Sequence, residues 1–152
     1  MTIQTIQFHN VTNYNTTLPK RATWGSAGYD FVAPHNIVIS PGETVLVKTG
    51  VKCMLSPDVV LFIVPRSSLG IKQGLALANT IAVIDSDYYN NPNNEGHIML
   101  ALKNNGNRFI TINEGERFCQ GIAVPFVYDK NEAEEDFEKR TGGIGSTGVW
   151  NY

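Results

Sequence analysis

Short apolar runs separated by turn residues recur along almost the whole chain. The segments YDFVAP, VVLFIVP and IAVPFVY have the length and composition of β-strands. In YDFVAP, alternation places Tyr29, Phe31 and Ala33 on one face of a strand. Many short strands with turns about every 8–12 residues predict an all-β sandwich or barrel.

The remaining apolar runs predict further strands in TIQTIQF, NIVIS, TVLVKTGVKCML, ALANTIAVI, HIMLALKN and RFITI. The polar sequences NNGN (104–107) and NEGE (113–116) are expected to form hairpin-type turns. Helix is scarce, and SSLGIKQG is expected to hold one helical turn. Apolar content falls from residue 129 onwards, so we expect a β-domain over 1–128 and a peripheral C-terminal arm over 129–152 within one domain.

Length and charge restrict the classes of function. A chain of 152 residues suits one domain with a single core, and 42% hydrophobic residues indicate a globular protein. The net charge of -2 argues against a nucleic-acid or membrane surface, because both require clustered Lys and Arg. An anionic ligand would therefore be held by a few arginines, backbone amides or a metal ion.

Cysteine usage and the absence of export signals point to a cytoplasmic protein. Cys53 and Cys119 lie inside apolar runs and are expected to be buried, reduced thiols. With only three scattered histidines, they give no zinc-ligand spacing. The start MTIQTIQF lacks the basic and apolar regions of a signal peptide, and no segment reaches the roughly 18 apolar residues of a membrane span.

Polar side chains interrupt the strand pattern in AGYDFVAP and PRSSLG. Asp30 lies opposite the neighbouring aromatic rings and, taken alone, could be a solvent-facing residue of an edge strand. Arg66 offers a planar fork for phosphate oxygens, and Ser67 and Ser68 could cap a short helix whose free N–H groups favour an anion. An ordinary helix cap with a surface arginine would explain the second segment equally well.

Two further polar segments follow apolar strands. In AVIDSDYYNNPNNEGHIML, Asp85 and Asp87 point the same way on an extended strand, so one could bind a cation and the other could accept a proton from water. A loop of turn-forming residues is the plainer interpretation. In GERFCQG, Arg117 and Gln120 are polar, and a turn followed by a strand with an exposed arginine would account for them.

The Gly-rich tail RTGGIGSTG (140–148) could turn several backbone N–H groups toward an anion. A P-loop, however, requires G-x-x-x-x-G-K-[ST] between a strand and a helix. No lysine follows these glycines, and only VWNY remains after them.

Taken together and in order, AGYDFVAP, PRSSLG, AVIDSDY, GERFCQ and GGIGSTG resemble the five motifs of the trimeric deoxyuridine triphosphate nucleotidohydrolases, the dUTPases. The resemblance implies a jelly-roll-like β-barrel or sandwich of the β-clip type with a flexible Gly-rich arm. It also implies a homotrimer with shared active sites that converts dUTP to dUMP and pyrophosphate with Mg²⁺. That reaction keeps uracil out of DNA and supplies dUMP for dTMP synthesis.

The resemblance also implies roles for individual residues. Asp85 matches the carboxylate that activates water for attack at the α-phosphorus. Asp30 matches an aspartate near the water shell of Mg²⁺, which would be held by the triphosphate and water rather than directly by the protein. Arg117 is a supporting candidate, and the phosphate contacts are expected from Arg66, Ser67, Ser68 and Gln120.

Base and sugar selection follow from the third motif in the same way. Tyr88 matches the aromatic residue under the deoxyribose, where a 2′-hydroxyl would clash. Asn79 and Ile84 belong to a uracil-reading hairpin whose backbone would pair with uracil and leave buried partners unsatisfied with cytosine.

The tail is expected to be a mobile lid over the nucleotide, usually at a neighbouring subunit's site, with Gly145 and Ser146 approaching the phosphates. Ile144 stands where an aromatic residue usually stacks on uracil, and Arg140 or the adjacent Lys139 is expected at the terminal phosphate. The extra sequence NNPNNE (90–95) is expected to form a protruding surface loop.

Two alternatives remain open from the sequence. A dCTP deaminase shares the fold, but its catalytic glutamate would fall at Ala101 in HIMLA. A protein-binding or regulatory module of the same fold is the other alternative, since the tail departs from the usual pattern.

Overall fold

The computed structural model describes residues 3–144, which form mainly short β-strands and confirm the predicted all-β class. The described strands are β1 (Ile6–Asn10), β2 (Lys20–Arg21), β3 (Tyr29–Val32), β4 (Ile37–Ile39), β5 (Thr44–Lys48), β6 (Val51–Leu55), β7 (Val59–Pro65), β8 (Leu75–Leu77), β9 (Ala82–Ile84), β10 (Met99–Asn104), β11 (Ile110–Ile112) and β12 (Arg117–Pro125). The helical elements are α1 (Ser67–Gln73) and the 3-10 turns Ser86–Tyr88 and Glu134–Asp136. None of these described helices has the length and apolar composition needed to cross a membrane.

Within residues 3–144 the strands form four antiparallel sheets. Their orders are β2-β3-β12-β7-β9, β5-β10-β8, β1-β6 and β11-β4. In the five-stranded sheet, Gln120 of β12 pairs with Asp30 on one side and with Val64 on the other. The arrangement agrees with the predicted jelly-roll-like sandwich, and it brings residues of four of the five sequence motifs onto one sheet.

A single hydrophobic core holds the sheets together. Phe31, Leu61, Ile63 and Phe118 are almost completely buried within it, as expected from their alternation along β3, β7 and β12. Cys53 and Cys119 are buried free thiols, which confirms the prediction made from their apolar surroundings.

The predicted hairpins at NNGN and NEGE are wrong. The chain bends at NNGN and turns at NEGE, but β10, β11 and β12 belong to three different sheets. At the first corner, the buried Asn104 side chain donates to the carbonyl of Ile39 in β4 and to that of Arg108. These bonds direct the chain toward β4, the partner of β11, because turn residues specify a change of direction and not the next pairing partner.

The short helix α1 is longer than the single turn predicted. It ends at Gln73 and is capped by Gly74, which has a φ of 76° and whose N–H donates to the carbonyl of Gly70. The predicted serine cap is wrong: Arg66 occupies the N-cap position without a side-chain capping bond, and Ser67 and Ser68 are the exposed first residues of the helix.

The chain beyond β12 runs along the outside of the β-domain, and no strand lies between 126 and 144. Its start is attached by the Phe126 N–H on the Asp58 carbonyl and by the Tyr128 hydroxyl on the Pro57 carbonyl, each at 3.0 Å. It then reaches the end of β9. The division into 1–128 and 129–152 stays a prediction.

Candidate active site

The first candidate group, here called the arginine cluster, consists of Asp30, Arg66, Arg117 and Gln120. Asp30 Oδ2 lies 3.1 Å from Arg117 Nη1, and its Oδ1 lies 3.6 Å from Arg66 Nε. The Asp30 side chain is only 13% exposed, and β3 lies between β2 and β12, so Asp30 is not a solvent-facing residue of an edge strand. Its carboxylate holds two guanidinium groups in place beside each other.

Gln120 completes the arginine cluster because Gly28 leaves room for its side chain. A Cβ atom at Gly28 would overlap Gln120 Oε1, so a larger residue at this position would displace the Gln120 amide. Ser67 and Ser68 follow Arg66 directly and have exposed side chains. Guanidinium, amide and hydroxyl groups in this arrangement can donate hydrogen bonds to several phosphate oxygens.

The second candidate group, here called the Asp85 pocket, is a cavity of about 640 Å³ at the end of β9. This volume is typical of sites for small organic ligands. Predicted site residues that line it are Asn79, Ile84, Asp85, Tyr88, Arg140 and Ile144. Ala101 also lines the cavity, so no glutamate stands where a deaminase would require one.

The β8–β9 segment does not form the predicted hairpin, but it exposes backbone groups to the pocket. Asn79 lies in the turn between β8 and β9, which are edge strands of two different sheets. Within residues 3–144 no strand pairs with the outer edge of either strand. Their free N–H and C=O groups can therefore hydrogen-bond the edge of a planar ligand.

Arg140 bridges both carboxylates at the mouth of the Asp85 pocket. Its Nη2 lies 2.6 Å from Asp85 Oδ2, and its Nε lies 2.6 Å from Asp87 Oδ1. Burial raises the pKa of Asp85, Arg140 opposes this shift, and the negative charge of Asp87 raises the pKa further. Asp85 is thus a carboxylate whose proton affinity depends on its two charged neighbours.

Tyr88 is buried and lines the pocket, and the residues after it fold back to bond its hydroxyl and its carbonyl. Asn91 is 5% exposed, and the Asn94 side chain donates to the Tyr88 hydroxyl at 2.9 Å. The segment 90–95 lies at the surface as predicted, with Pro92 and Asn93 exposed, but it folds back on Tyr88 instead of protruding. The abundance of asparagine, which bonds its own backbone in turns, was the sequence signal that could have indicated a compact loop.

The described end of the arm lies over the same chain's Asp85 pocket. Gly143 packs against Tyr88, and Ile144 lines the cavity although its side chain is 87% exposed. Lys139 is exposed, whereas Arg140 reaches into the pocket. Gly145 and Ser146, which were predicted to contact phosphates, lie outside the described residues.

The carboxylates of the two candidate groups do not form a metal-binding site by themselves. Among residues 3–144 no group of three His, Cys, Asp or Glu side chains is placed to hold a metal ion. Asp30, Asp85 and Asp87 each pair with an arginine instead. This donor set fits Mg²⁺ that is held by phosphate oxygens and water, because Mg²⁺ retains several waters when it binds.

The two candidate groups lie at opposite ends of β7. Ile84, just before Asp85, pairs with Leu61 near the start of the strand, whereas Cys119 pairs with Pro65 at its end, next to Arg66. Four residues of extended strand correspond to about 13 Å. The arginine cluster and the Asp85 pocket of one chain therefore do not converge on one point.

A cavity with free backbone groups and a carboxylate, together with an arginine cluster suited to phosphates, gives the chain the groups needed to bind and act on a nucleotide. The dUTPase family model matches residues 14–148. The chain belongs to the dUTPase family.

Several relatives resemble the chain over most of its length. The deoxyuridine 5'-triphosphate nucleotidohydrolase of Lactococcus lactis subsp. lactis (strain IL1403) is 43% identical, covering 93% of this chain and 97% of the relative. That of Hahella chejuensis (strain KCTC 2396) is 42% identical, covering 87% of each.

Solved structures give the same fold. The crystal structure of dUTPase from Streptococcus mutans has a TM-score of 0.76 and 44% identity, covering 82% of this chain and 98% of that one. The Staphylococcus bacteriophage 80alpha dUTPase, solved with dUPNHPP, has a TM-score of 0.71 and 24% identity, covering 95% and 99% of the two chains. At that identity the second likeness concerns the fold alone.

Proposed function

We propose that the protein hydrolyses dUTP to dUMP and pyrophosphate by attack of water at the α-phosphorus. In a cell this reaction keeps uracil out of DNA and supplies dUMP for dTMP synthesis. The observation that carries the proposal is the position of Asp85, a carboxylate at the mouth of a nucleotide-sized pocket with free backbone groups along two strand edges.

Asp85 orients the attacking water and accepts its proton. General base catalysis of this kind typically contributes about 10²–10⁴-fold to the rate. Arg140 contacts Asp85 at 2.6 Å, so this guanidinium must turn away before the carboxylate can act as a base. The terminal phosphate of the substrate offers Arg140 a more negative partner, which couples binding of triphosphate to release of the base.

Uracil is selected by the backbone of residues 79–84, and the deoxyribose is selected by Tyr88. Backbone donors and acceptors that pair with uracil would be left unsatisfied by cytosine. Tyr88 is buried and lines the pocket, so a sugar packed on its ring has no room for a 2′-hydroxyl.

The arginine cluster binds the phosphates through Arg66, Ser67, Ser68 and Gln120, with Arg117 in support. Asp30 keeps Arg66 and Arg117 oriented. Mg²⁺ would be held by the triphosphate and water, with Asp30 as the nearest carboxylate of the arginine cluster, and would offset phosphate charge.

The active form is a homotrimer in which one chain's arginine cluster meets another chain's Asp85 pocket. The separation of the two groups along β7 supports this arrangement, because a single chain cannot present both to the same phosphate. Light scattering should give three chain masses in solution. The cytoplasmic location stays a prediction.

We expect Asp87→Asn to move the acid limb of the kcat/KM profile for dUTP to lower pH. The charge of Asp87 raises the pKa of Asp85, so its removal lowers that pKa, and the base stays deprotonated in more acidic solution. Initial rates across the pH range measure the limb. The matched control is Asp136→Asn, an equal change of charge in the exposed arm. A limb that stays in place would exclude this coupling.

The Gly143→Ala variant should have a kcat/KM for dUTP that is lower by about tenfold. The added methyl group raises the free energy of packing the arm against Tyr88, and overpacking of this kind typically costs about 1–3 kcal/mol. A Cβ atom at Gly143 would lie 2.9 Å from Tyr88 Cε2, and the Tyr88 ring is held at its hydroxyl. Steady-state kinetics test the effect, with the exposed neighbour Thr141→Ala as control. Equal kinetics for both variants would mean that the arm does not close against Tyr88.

The proposed reaction is tested by pyrophosphate release from dUTP, dCTP, dTTP and UTP, each with Mg²⁺ and with EDTA. Release from dUTP alone, and only with Mg²⁺, is the expected result. Ammonia released from dCTP would indicate a deaminase instead. A folded protein that releases nothing from any of the four would support a binding module.

A further inference from the structure

Residues that follow Tyr88 in the chain form hydrogen bonds to its hydroxyl group. The ring is 8% exposed and lines the Asp85 pocket. Its hydroxyl donates to the carbonyl of His97 at 2.6 Å and accepts from Asn94 Nδ2 at 2.9 Å. Two hydrogen bonds therefore fix the far end of a buried aromatic side chain that lines the pocket.

The amide of Asn94 is locked in the orientation that donates to Tyr88. Its Oδ1 accepts from Asn91 Nδ2 at 2.7 Å and from the N–H of Gly96 at 3.0 Å. Asn91, itself buried, also donates to the Tyr88 carbonyl at 2.8 Å. A flip of the Asn94 amide would place its NH₂ group against two donors, so only one orientation satisfies all partners.

The ends of the loop are anchored in unfavourable backbone conformations. Asn90 and Glu95 have φ values of 54° and 63°, in the left-handed region. Lys52 donates to Asn90 Oδ1 at 2.6 Å, and the Glu95 carboxylate accepts from the N–H and hydroxyl of Thr12 at 2.9 and 2.6 Å. Such conformations persist only where the surrounding contacts impose them, so the loop has a fixed conformation that can hold Tyr88 in place.

We propose that Asn94 is a positioning residue that fixes Tyr88 under the sugar and thereby sets the preference for deoxyribose over ribose. The inference rests on the proposed function, in which the nucleotide sugar packs on Tyr88. A steric barrier to a 2′-hydroxyl is effective only if the ring cannot retreat. Asn94 acts on selectivity through Tyr88 and has no role in the chemical step.

A double-mutant cycle tests this inference with Asn94→Ala, Tyr88→Phe and the combined variant. Dissociation constants for dUTP and UTP are measured in EDTA, and kcat/KM for both is measured with Mg²⁺. Loss of one hydrogen bond should lower the preference of Asn94→Ala for dUTP over UTP by between about twofold and about tenfold. In the Tyr88→Phe background, Asn94→Ala should have no further effect, because its partner is already absent.

Two more variants separate positioning from general stability. Asn93→Ala is the matched control, since that side chain is exposed and makes no hydrogen bond within the described residues. Asn94→Asp keeps the oxygen that accepts from Asn91 and Gly96 but loses the N–H donated to Tyr88, so the single proton of the Tyr88 hydroxyl can serve the new carboxylate or the His97 carbonyl but not both. This variant should show a lowered preference for dUTP over UTP with little change in melting temperature. If Asn94→Ala does not fold, this variant tests whether Asn94 positions Tyr88.

Each outcome separates this inference from the proposed reaction. An unchanged dUTP preference in the folded Asn94 variants would overturn it, as would a further loss in the Tyr88→Phe background. A wild-type protein that does not distinguish dUTP from UTP would also overturn this inference, even if it hydrolyses dUTP. A wild-type protein that prefers dUTP but releases no pyrophosphate would contradict the reaction alone, and the binding ratios would still decide the role of Asn94.

Discussion

Replacement of Asp85 by asparagine is expected to lower kcat for dUTP by about 10²–10⁴-fold, while the protein stays folded and still binds dUTP. The amide cannot accept a proton from water, but it nearly preserves the shape of the side chain. Asp85 is half-exposed at the pocket mouth and contributes nothing to the hydrophobic core, so folding should not depend on it. Single-turnover kinetics and a dUTP titration in EDTA separate chemistry from binding.

Asp87→Asn is the matched control for this change. Both carboxylates contact Arg140 at 2.6 Å, so loss of an ion pair with Arg140 is common to the two variants. Only the Asp85 variant should lose most of its turnover. Full activity in Asp85→Asn would remove Asp85 as the base, and an equal loss in both variants would assign the effect to Arg140.

Truncation after Lys139 should leave a folded β-domain with kcat/KM for dUTP lowered by about 10²-fold or more. The arm brings Arg140, Gly143 and Ile144 to the Asp85 pocket. Loss of groups that position a reacting phosphate lowers the reaction rate by a factor of about this size. No core residue lies in the deleted segment, so the melting temperature should change little.

Two full-length variants resolve the contribution of the arm. Arg140→Gln should reproduce a large part of the loss, whereas Thr141→Ala, with its exposed side chain, should behave as the wild type. A truncated protein with an unchanged rate would show that the arm takes no part in turnover.

Most strands were predictable from the sequence because apolar runs of strand length correspond to strands here, but the two-residue β2, Lys20–Arg21, lies in no apolar run and was missed. TVLVKTGVKCML divides into β5 and β6 at Gly50, which has a φ of 76°. The pairing of strands was not predictable in the same way. NNGN and NEGE have turn composition, but the choice of partner depends on long-range contacts such as the Asn104 bond to β4.

The candidate site could be predicted as a set of residue types but not as a geometry. Order and spacing of the motifs brought out Asp85, Tyr88 and Arg66. The pairing of Asp30 with two arginines depends on the register between β3, β12 and β7, which no local pattern encodes. Asn94 was missed because its importance lies in one contact made across a compact loop.

Hydrolysis of dUTP in water labelled with a heavy oxygen isotope tests most directly whether water attacks the α-phosphorus. Attack of water at the α-phosphorus predicts that the label appears in the phosphate of dUMP, in a Mg²⁺-dependent reaction, and that the pyrophosphate stays unlabelled. Label in the pyrophosphate would place the attack at another phosphorus. No dUMP formation by the folded protein would contradict the proposed hydrolysis altogether.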